Sequence, residues 1–382
     1  MKLGGSTILM GGAWLVLSGC SGKYEVGLEP SAGTAGTGVM PSSSSGGATS
    51  SVGGSSGSTG YPPSAGSGGS MIPDPYPSPG PDSTCGFAPI VPAGLVVPSV
   101  GADVIAARVY ALLESSDAPE IDPLPNPGAG FAATLATAIL DAHFKAGTSV
   151  PGLEWVLQGM LTLDDRSPPM EAAGVWAAKL ADPNATLSTL FAEPTGEPHR
   201  LGILTDHAVL TLHPSISPRG LWLTEKVFCM QVPPSPVNVP ALPPSKPGVS
   251  KREALTQFVA NPACAACHKL MDPPAYSLEH FDDEGNYREL DNGVPVDSGG
   301  TISVFVSSQS PAMSFDNFED LAPQLAKSCV VTQCFTSQVL GALPQIKFST
   351  AEANQIANTF ADSGFSVRAL VQAIVTSGAF LR

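Results

Sequence analysis

Cys264-Ala265-Ala266-Cys267-His268 is the stretch on which the reading of this chain turns. Two thiols three residues apart share one face of a helical turn, and an imidazole follows at once. This is the attachment pattern of a c-type haem: the thiols take the vinyl groups, and His268 supplies the proximal nitrogen because the turn after Cys267 aims its ring at the iron. Cys264, Cys267 and His268 are therefore the expected cofactor-binding residues, for one covalent haem c.

The opposite axial position is open. Met271 sits three residues past His268, on the same side of the porphyrin, and is unable to reach the other face. The expectation falls on Met313, in a Ser310-Pro311-Ala312-Met313 loop ahead of a helix, which resembles how class I cytochromes c present their methionine. The expected metal ligands are thus His268 and Met313, with His280 second and His207 or His213 behind it. The competing state for Met313 is a loop methionine packed on the core. Arg219 and Arg288 have the forked guanidinium that suits haem propionates, with surface ion pairs as the alternative. Asp272, Asp282 and Asp297 fall near the motif without the spacing of a calcium loop, so no metal besides iron is expected.

The other end of the chain agrees with this chemistry. Met1 and Lys2 lead into an apolar run through Ile8, Leu9, Met10 and Trp14 to Leu17, too short to span a bilayer and suited to a signal peptide over residues 1–19. Leu17-Ser18-Gly19-Cys20 resembles the lipobox of bacterial lipoproteins, which implies cleavage before Cys20, lipidation of its thiol and attachment to a membrane; an uncleaved anchor helix is the alternative. Ser21 at the next position points to the outer membrane, on its periplasmic or its cell-surface face. Export is where bacterial c-type haem is attached. Residues 20–90 form a flexible tether, within which the stretch from about Ser31 to Asp82 is almost all Ser, Gly, Ala, Thr and Pro and reaches roughly 40 Å as a coil.

The chain has 382 residues and a net charge of −15. An acidic surface repels nucleic acid, excludes that class of partner, and would steer basic proteins; the redox partner is not legible. With Cys20 and the haem pair set aside, Cys85, Cys229, Cys329 and Cys334 are the disulfide candidates, an even number in an oxidising compartment. Three connectivities are open; pairing Cys229 with Cys329 is favoured because it would clamp the motif from both sides.

Apolar residues recur at helical spacing in Val104 to Leu113, Phe131 to Phe144, Leu153 to Leu163 and Glu171 to Ala181, predicting a helical domain over 91–232 with Trp155 and Trp176 in its core. A proline-laden connector occupies 233–249. Residues 250–382 form the haem domain. Capping boxes at Ser250 to Glu253 and Ser349 to Glu352 open helices, Asp291-Asn292-Gly293 marks a tight hairpin, and helical period returns over Phe318 to Leu340 and Val367 to Ala379. The fold class is mainly α: a helical N-terminal domain plus a cytochrome c-like helical haem domain with a small β-hairpin.

Several longer motifs surround the haem signature: Ser217-Pro218-Arg219-Gly220 with Trp222 and Cys229, Asn261 to Pro273, Ser277-Leu278-Glu279-His280-Phe281-Asp282, Gly285-Asn286-Tyr287-Arg288, and Leu370 to Phe380. Together they resemble the exported cytochrome-like proteins of the domain-of-unknown-function families 1592, 1588 and 1585 over roughly residues 200 to 382. The resemblance implies a haem protein and supplies no substrate. Gln338-Val339-Leu340-Gly341-Ala342 stands where the last family ends a helix with Tyr and Arg.

Three functions fit these residues. The leading expectation is a lipid-anchored monohaem protein that transfers electrons in the cell envelope, a carrier rather than a catalyst. A haem peroxidase or an oxidoreductase accessory subunit with an open iron site is the enzyme alternative. The structural alternative is a zinc or disulfide protein without haem, in which Cys264, Cys267, Cys329 and Cys334 gather a zinc ion in a four-thiolate site and His268 is incidental.

Overall fold

Among the described residues, polar side chains that accept from otherwise unpaired N–H groups set most helix starts. The computed structural model describes residues 84–87, 151–163, 166–234, 246–303, 311–343 and 346–381, with single helical positions between 104 and 144. The order is α1 (Pro151–Leu161), α2 (Met170–Leu180), α3 (Leu187–Phe191), a 3-10 turn (Ile203–Thr205), α4 (His207–Leu212) and α5 (Ile216–Trp222), which runs into a π turn (Leu223–Val227). Then come α6 (Lys251–Phe258), α7 (Pro262–Tyr276), strands β1 (Leu290–Asp291), β2 (Val294–Pro295), β3 (Gly300–Ile302) and β4 (Met313–Phe315). Helices α8 (Phe318–Leu325), α9 (Cys329–Gly341), α10 (Thr350–Asp362), α11 (Val367–Val375) and α12 (Gly378–Leu381) complete it. The fold is mainly α with two small antiparallel strand pairs.

The local sequence signals locate these elements well. Ser250 accepts from Glu253 N at 3.1 Å and opens α6. Ser349 and Glu352 form the full reciprocal box at the start of α10. Asn317, Ser328 and Ser366 cap α8, α9 and α11 in the same way. Asn292 and Gly293 take φ of 50° and 84°, the left-handed pair that a two-residue hairpin turn needs, and β1 pairs with β2 across them.

One apolar core takes side chains from both sides of the proline-rich connector, among them Leu140, Trp176, Trp222, Phe281, Phe335 and Phe380. Helix α1 lies on α2, α9 on α10 and α10 on α11. Trp176 is 3% exposed, as expected, but Trp155 is 54% exposed. The buried positions of α1 are Leu153, Val156, Leu157, Met160 and Leu161. Residue 155 falls off that i, i+3, i+4 face, which corrects its assignment to the core.

The disulfides are Cys85–Cys329 and Cys229–Cys334. The expected Cys229–Cys329 pairing is not formed. Cys329 and Cys334 are five residues apart on α9 and look in different directions. Cys334 Sγ lies 3.5 Å from the Lys226 carbonyl of the π turn, beside Cys229, whereas Cys329 faces the Thr84–Phe87 segment. That segment is further fixed by Asn358, whose Oδ1 accepts from Phe87 N at 2.9 Å and whose Nδ2 donates to Phe87 O at 2.6 Å. Because these bonds consume Cys329 and Cys334, the four-thiolate zinc arrangement with Cys264 and Cys267 is excluded.

The leader over 1–19, Cys20, the tether apart from 84–87, residues 235–245 of the connector and most of the two predicted helices before residue 150 lie outside the described residues. No helix among the described residues is long and apolar enough to cross a membrane.

Candidate metal centre

The Cys264-Ala265-Ala266-Cys267-His268 motif occupies the first half of α7. Pro262 is its first residue, where the missing N–H costs nothing, and Cys264 N and Ala265 N both donate to Asn261 O, at 2.9 and 3.0 Å. Cys264 and Cys267 follow on one face, both half-buried. They are free thiols, while the other described cysteines are joined in pairs.

His268 comes next, with 19% of its side chain exposed, and its Nδ1 is 2.9 Å from Asp272 Oδ2. The two are one helical turn apart, so the contact is built into α7. Asp272 is 1% exposed. Burial pushes its carboxyl above the usual carboxylate range, opposed by the charge and hydrogen bond of His268 and by a hydrogen bond from Ser217. Ser217 Oγ donates to Oδ1 at 3.3 Å from a different helix, α5.

Gly220 makes that reach possible. A Cβ on this residue would lie 2.2 Å from the Met271 carbonyl oxygen and 3.3 Å from Asp272 Cα, so only glycine lets α5 cross α7 backbone to backbone. Ser217, three residues earlier on the same face, is thereby set over Asp272. The last turn of α7 contains Pro273 and Pro274, whose nitrogens have no hydrogen to give to the carbonyls of Lys269 and Leu270.

Behind the helix lies a layer of buried charge. Arg219 is fully buried and donates to the carbonyls of His213 (3.0 Å), Leu278 (3.1 Å), Phe281 (2.6 Å) and Asp282. It collects the carbonyls of the turns that follow α7. Burial lowers its pKa from the ordinary arginine value, while Glu279 and Asp283 oppose the shift. Arg288 donates to Glu279 O, to Asp291 Oδ1 at 2.7 Å and to Glu279 Oε2 at 3.4 Å. Glu279, 3% exposed, is pushed by burial up to about 7 despite Arg288 and Arg219. Both guanidiniums proposed for propionates therefore have other partners, Arg219 entirely within the backbone.

The remaining sequence candidates are dispersed. Met313 lies in β4 rather than in a loop, opposite Ile302 and 7% exposed in the main core; β3, which carries Ile302, packs on α7. His280 donates from Nδ1 to Arg288 O at 2.9 Å and stacks on Tyr287, which also stacks with His199 at 4.0 Å. His213 is buried, bonded through Nε2 to Leu161 O at 2.7 Å and stacked on Trp222 at 4.5 Å. His207 is exposed at the start of α4. Asp272, Asp282 and Asp297 are spent on separate partners: His268, the turn N–H groups of Glu284 and Asn286, and Arg252.

Sequence reasoning missed the His268–Asp272 pair, for which the four-residue spacing on a helix was the available signal. It also missed the burial of Glu279, for which the sequence offers none. No curated protein and no solved structure matches this chain. Residues 200–291, which hold Ser217, Gly220, both free thiols, His268, Asp272 and Glu279, match the family model PSCyt3, protein of unknown function (DUF1588).

Proposed function

We propose that this chain is a lipid-anchored monohaem c-type cytochrome-like protein that carries electrons in the bacterial cell envelope. The observation that carries the reading is the contrast among cysteines: four are consumed by disulfides, while Cys264 and Cys267 remain thiols one turn apart beside His268. The donor set fits the group. Two thiols would form the thioether links, and His268, with Nδ1 occupied by Asp272, has Nε2 left for iron. Bound there, haem would supply one-electron chemistry at its iron. Met313 is the proposed distal ligand, on the ground that its strand pairs with the strand packed against α7. The leader ending in Leu17-Ser18-Gly19-Cys20 and the Ser/Gly-rich tether support the lipid anchor. The matched family, cytochrome-like by name, supports the class.

The test is full-length protein made in a bacterial host with haem-attachment machinery, measured by pyridine haemochrome spectrum and intact mass. One haem per chain is expected, lost in Cys264→Ala and Cys267→Ala. A near-infrared methionine-to-iron band in the ferric protein is expected and should vanish in Met313→Leu. Colourless protein weighing no more than polypeptide plus lipid sinks the reading. A prompt Soret shift on adding cyanide or peroxide replaces the carrier by a haem enzyme with an open iron site.

A further inference from the structure

Asp272 is a carboxyl buried between two helices, and both its oxygens are engaged. We propose that Asp272 is a positioning residue for the proximal ligand: it holds the Nδ1–H of His268, turns Nε2 toward the metal, and lowers the reduction potential, while Ser217 moderates that effect from the other carboxylate oxygen. The inference rests on the haem reading above and goes beyond it, because the attachment motif itself says nothing about what tunes the histidine.

Three observations support it. The Nδ1 to Oδ2 contact is 2.9 Å with Asp272 1% exposed, so water does not compete for the hydrogen bond as it would on a helix surface. The acceptor is a carboxylate oxygen, which takes more of the shared proton than a peptide carbonyl and makes the imidazole a stronger electron donor to iron, favouring the ferric state. Finally, the carboxyl is oriented from outside its own helix: Ser217 Oγ of α5 binds Oδ1 at 3.3 Å, and the glycine at 220 brings α5 close enough for it to do so. A helix that merely needed an i, i+4 pair would not require this second anchor.

The two oxygens predict opposite effects. In Asp272→Asn the amide oxygen still accepts from Nδ1–H, so the ring keeps its place but has a weaker acceptor. In Ser217→Ala the carboxylate loses a donor that draws charge from it, and its bond to His268 strengthens. Full-length haem-loaded protein is titrated spectroelectrochemically, with haem content per chain fixed by pyridine haemochrome. The potential is expected to rise in Asp272→Asn and to fall, by less, in Ser217→Ala. Loaded variants that titrate at the wild-type potential, or that both shift the same way, overturn the proposal. If Asp272→Asn does not accumulate with haem, Ser217→Ala decides alone: a fall supports the proposal and an unchanged value overturns it. Wild-type protein without haem would remove the parent reading and this one together, whereas coloured wild type with unmoved variants removes only this one.

Discussion

Helices α9 to α11 and the α5–α7 crossing are both buried, but they bury different chemistry. Between α9, α10 and α11 the interior is Val331, Phe335, Val339, Phe360, Leu370 and Ile374. The buried hydroxyls of Thr332 and Thr336 bond back to carbonyls four residues earlier, each at 2.8 Å, so both are satisfied within α9 and its cap. Around α7 the interior holds Arg219, Asp272, Glu279 and Asp291, with hydrogen bonds that run between elements. Burying a charge costs several kcal/mol unless it is fully partnered, and an apolar core would be stable without it. The C-terminal helices are therefore a support. The α7 layer spends stability on holding particular atoms in place, and it does so on the helix that carries Cys264, Cys267 and His268.

The largest break in this contrast is Arg219→Met. Methionine fills the space but gives none of the hydrogen bonds that three buried carbonyls and the partly buried Asp282 carbonyl accept, so unfolding free energy should drop by about 5 kcal/mol in denaturant titration. Arg368, paired with Asp141 at a half-exposed site beside the C-terminal helices, is the control. Its change to Met should cost less than about 1 kcal/mol. A similar loss from both would erase the distinction between the two regions. Next in size is Gly220→Ala, where the new methyl meets the Met271 carbonyl and must push α5 off α7; roughly 3 kcal/mol of destabilisation is expected. Gly341, at the end of α9, has open space where its Cβ would go, and Gly341→Ala should be neutral or stabilise by up to about 1 kcal/mol. Thermal melts of the pair check both signs.

What could be read from the sequence was what neighbouring residues decide among themselves. The caps at Ser250 and Ser349, the Asn292-Gly293 turn and the apolar periods of α1, α2 and α11 are local, and the mainly-α fold follows from them. Cysteine pairing is not local: whether Cys329 meets Cys229 or Cys85 depends on which side of α9 faces the π turn. Trp155 differed because one residue of helical phase, 100° of rotation, separates a core face from solvent. The short β3 and β4 strands, three residues each, carry too little alternation to be seen, so Met313 read as loop. At the site, the thiols and His268 were legible from spacing. Asp272 was visible only as an acid near the motif, since an i, i+4 His–Asp spacing becomes informative once burial and the second donor from Ser217 are known. The full burial of Arg219 was not legible at all, because arginine is ordinarily a surface residue.

The smallest and sharpest test of the contrast is pH, because the α9–α11 interior has nothing to titrate and the α7 layer has Glu279. Burial holds its folded value at about 7 against 4.5 for a free glutamate side chain, outweighing Arg288, Arg219 and Lys251, which favour the ionised form, while Asp291 opposes that form. Between those values the folded protein keeps a proton that the unfolded chain gives up. Stability from this group is thus complete below about pH 4.5, is lost as pH rises through about 7, and changes no further above it. The swing is on the order of 3 kcal/mol. Glutamine at this position cannot ionise, so Glu279→Gln should flatten the wild-type decline over that window. The difference between the two pH curves isolates Glu279 from Asp272, whose burial tilts stability in the same direction in both proteins. Parallel curves would mean that Glu279 is ionised in the folded state at every pH in the window and that its three cationic neighbours, rather than burial, govern the layer behind α7.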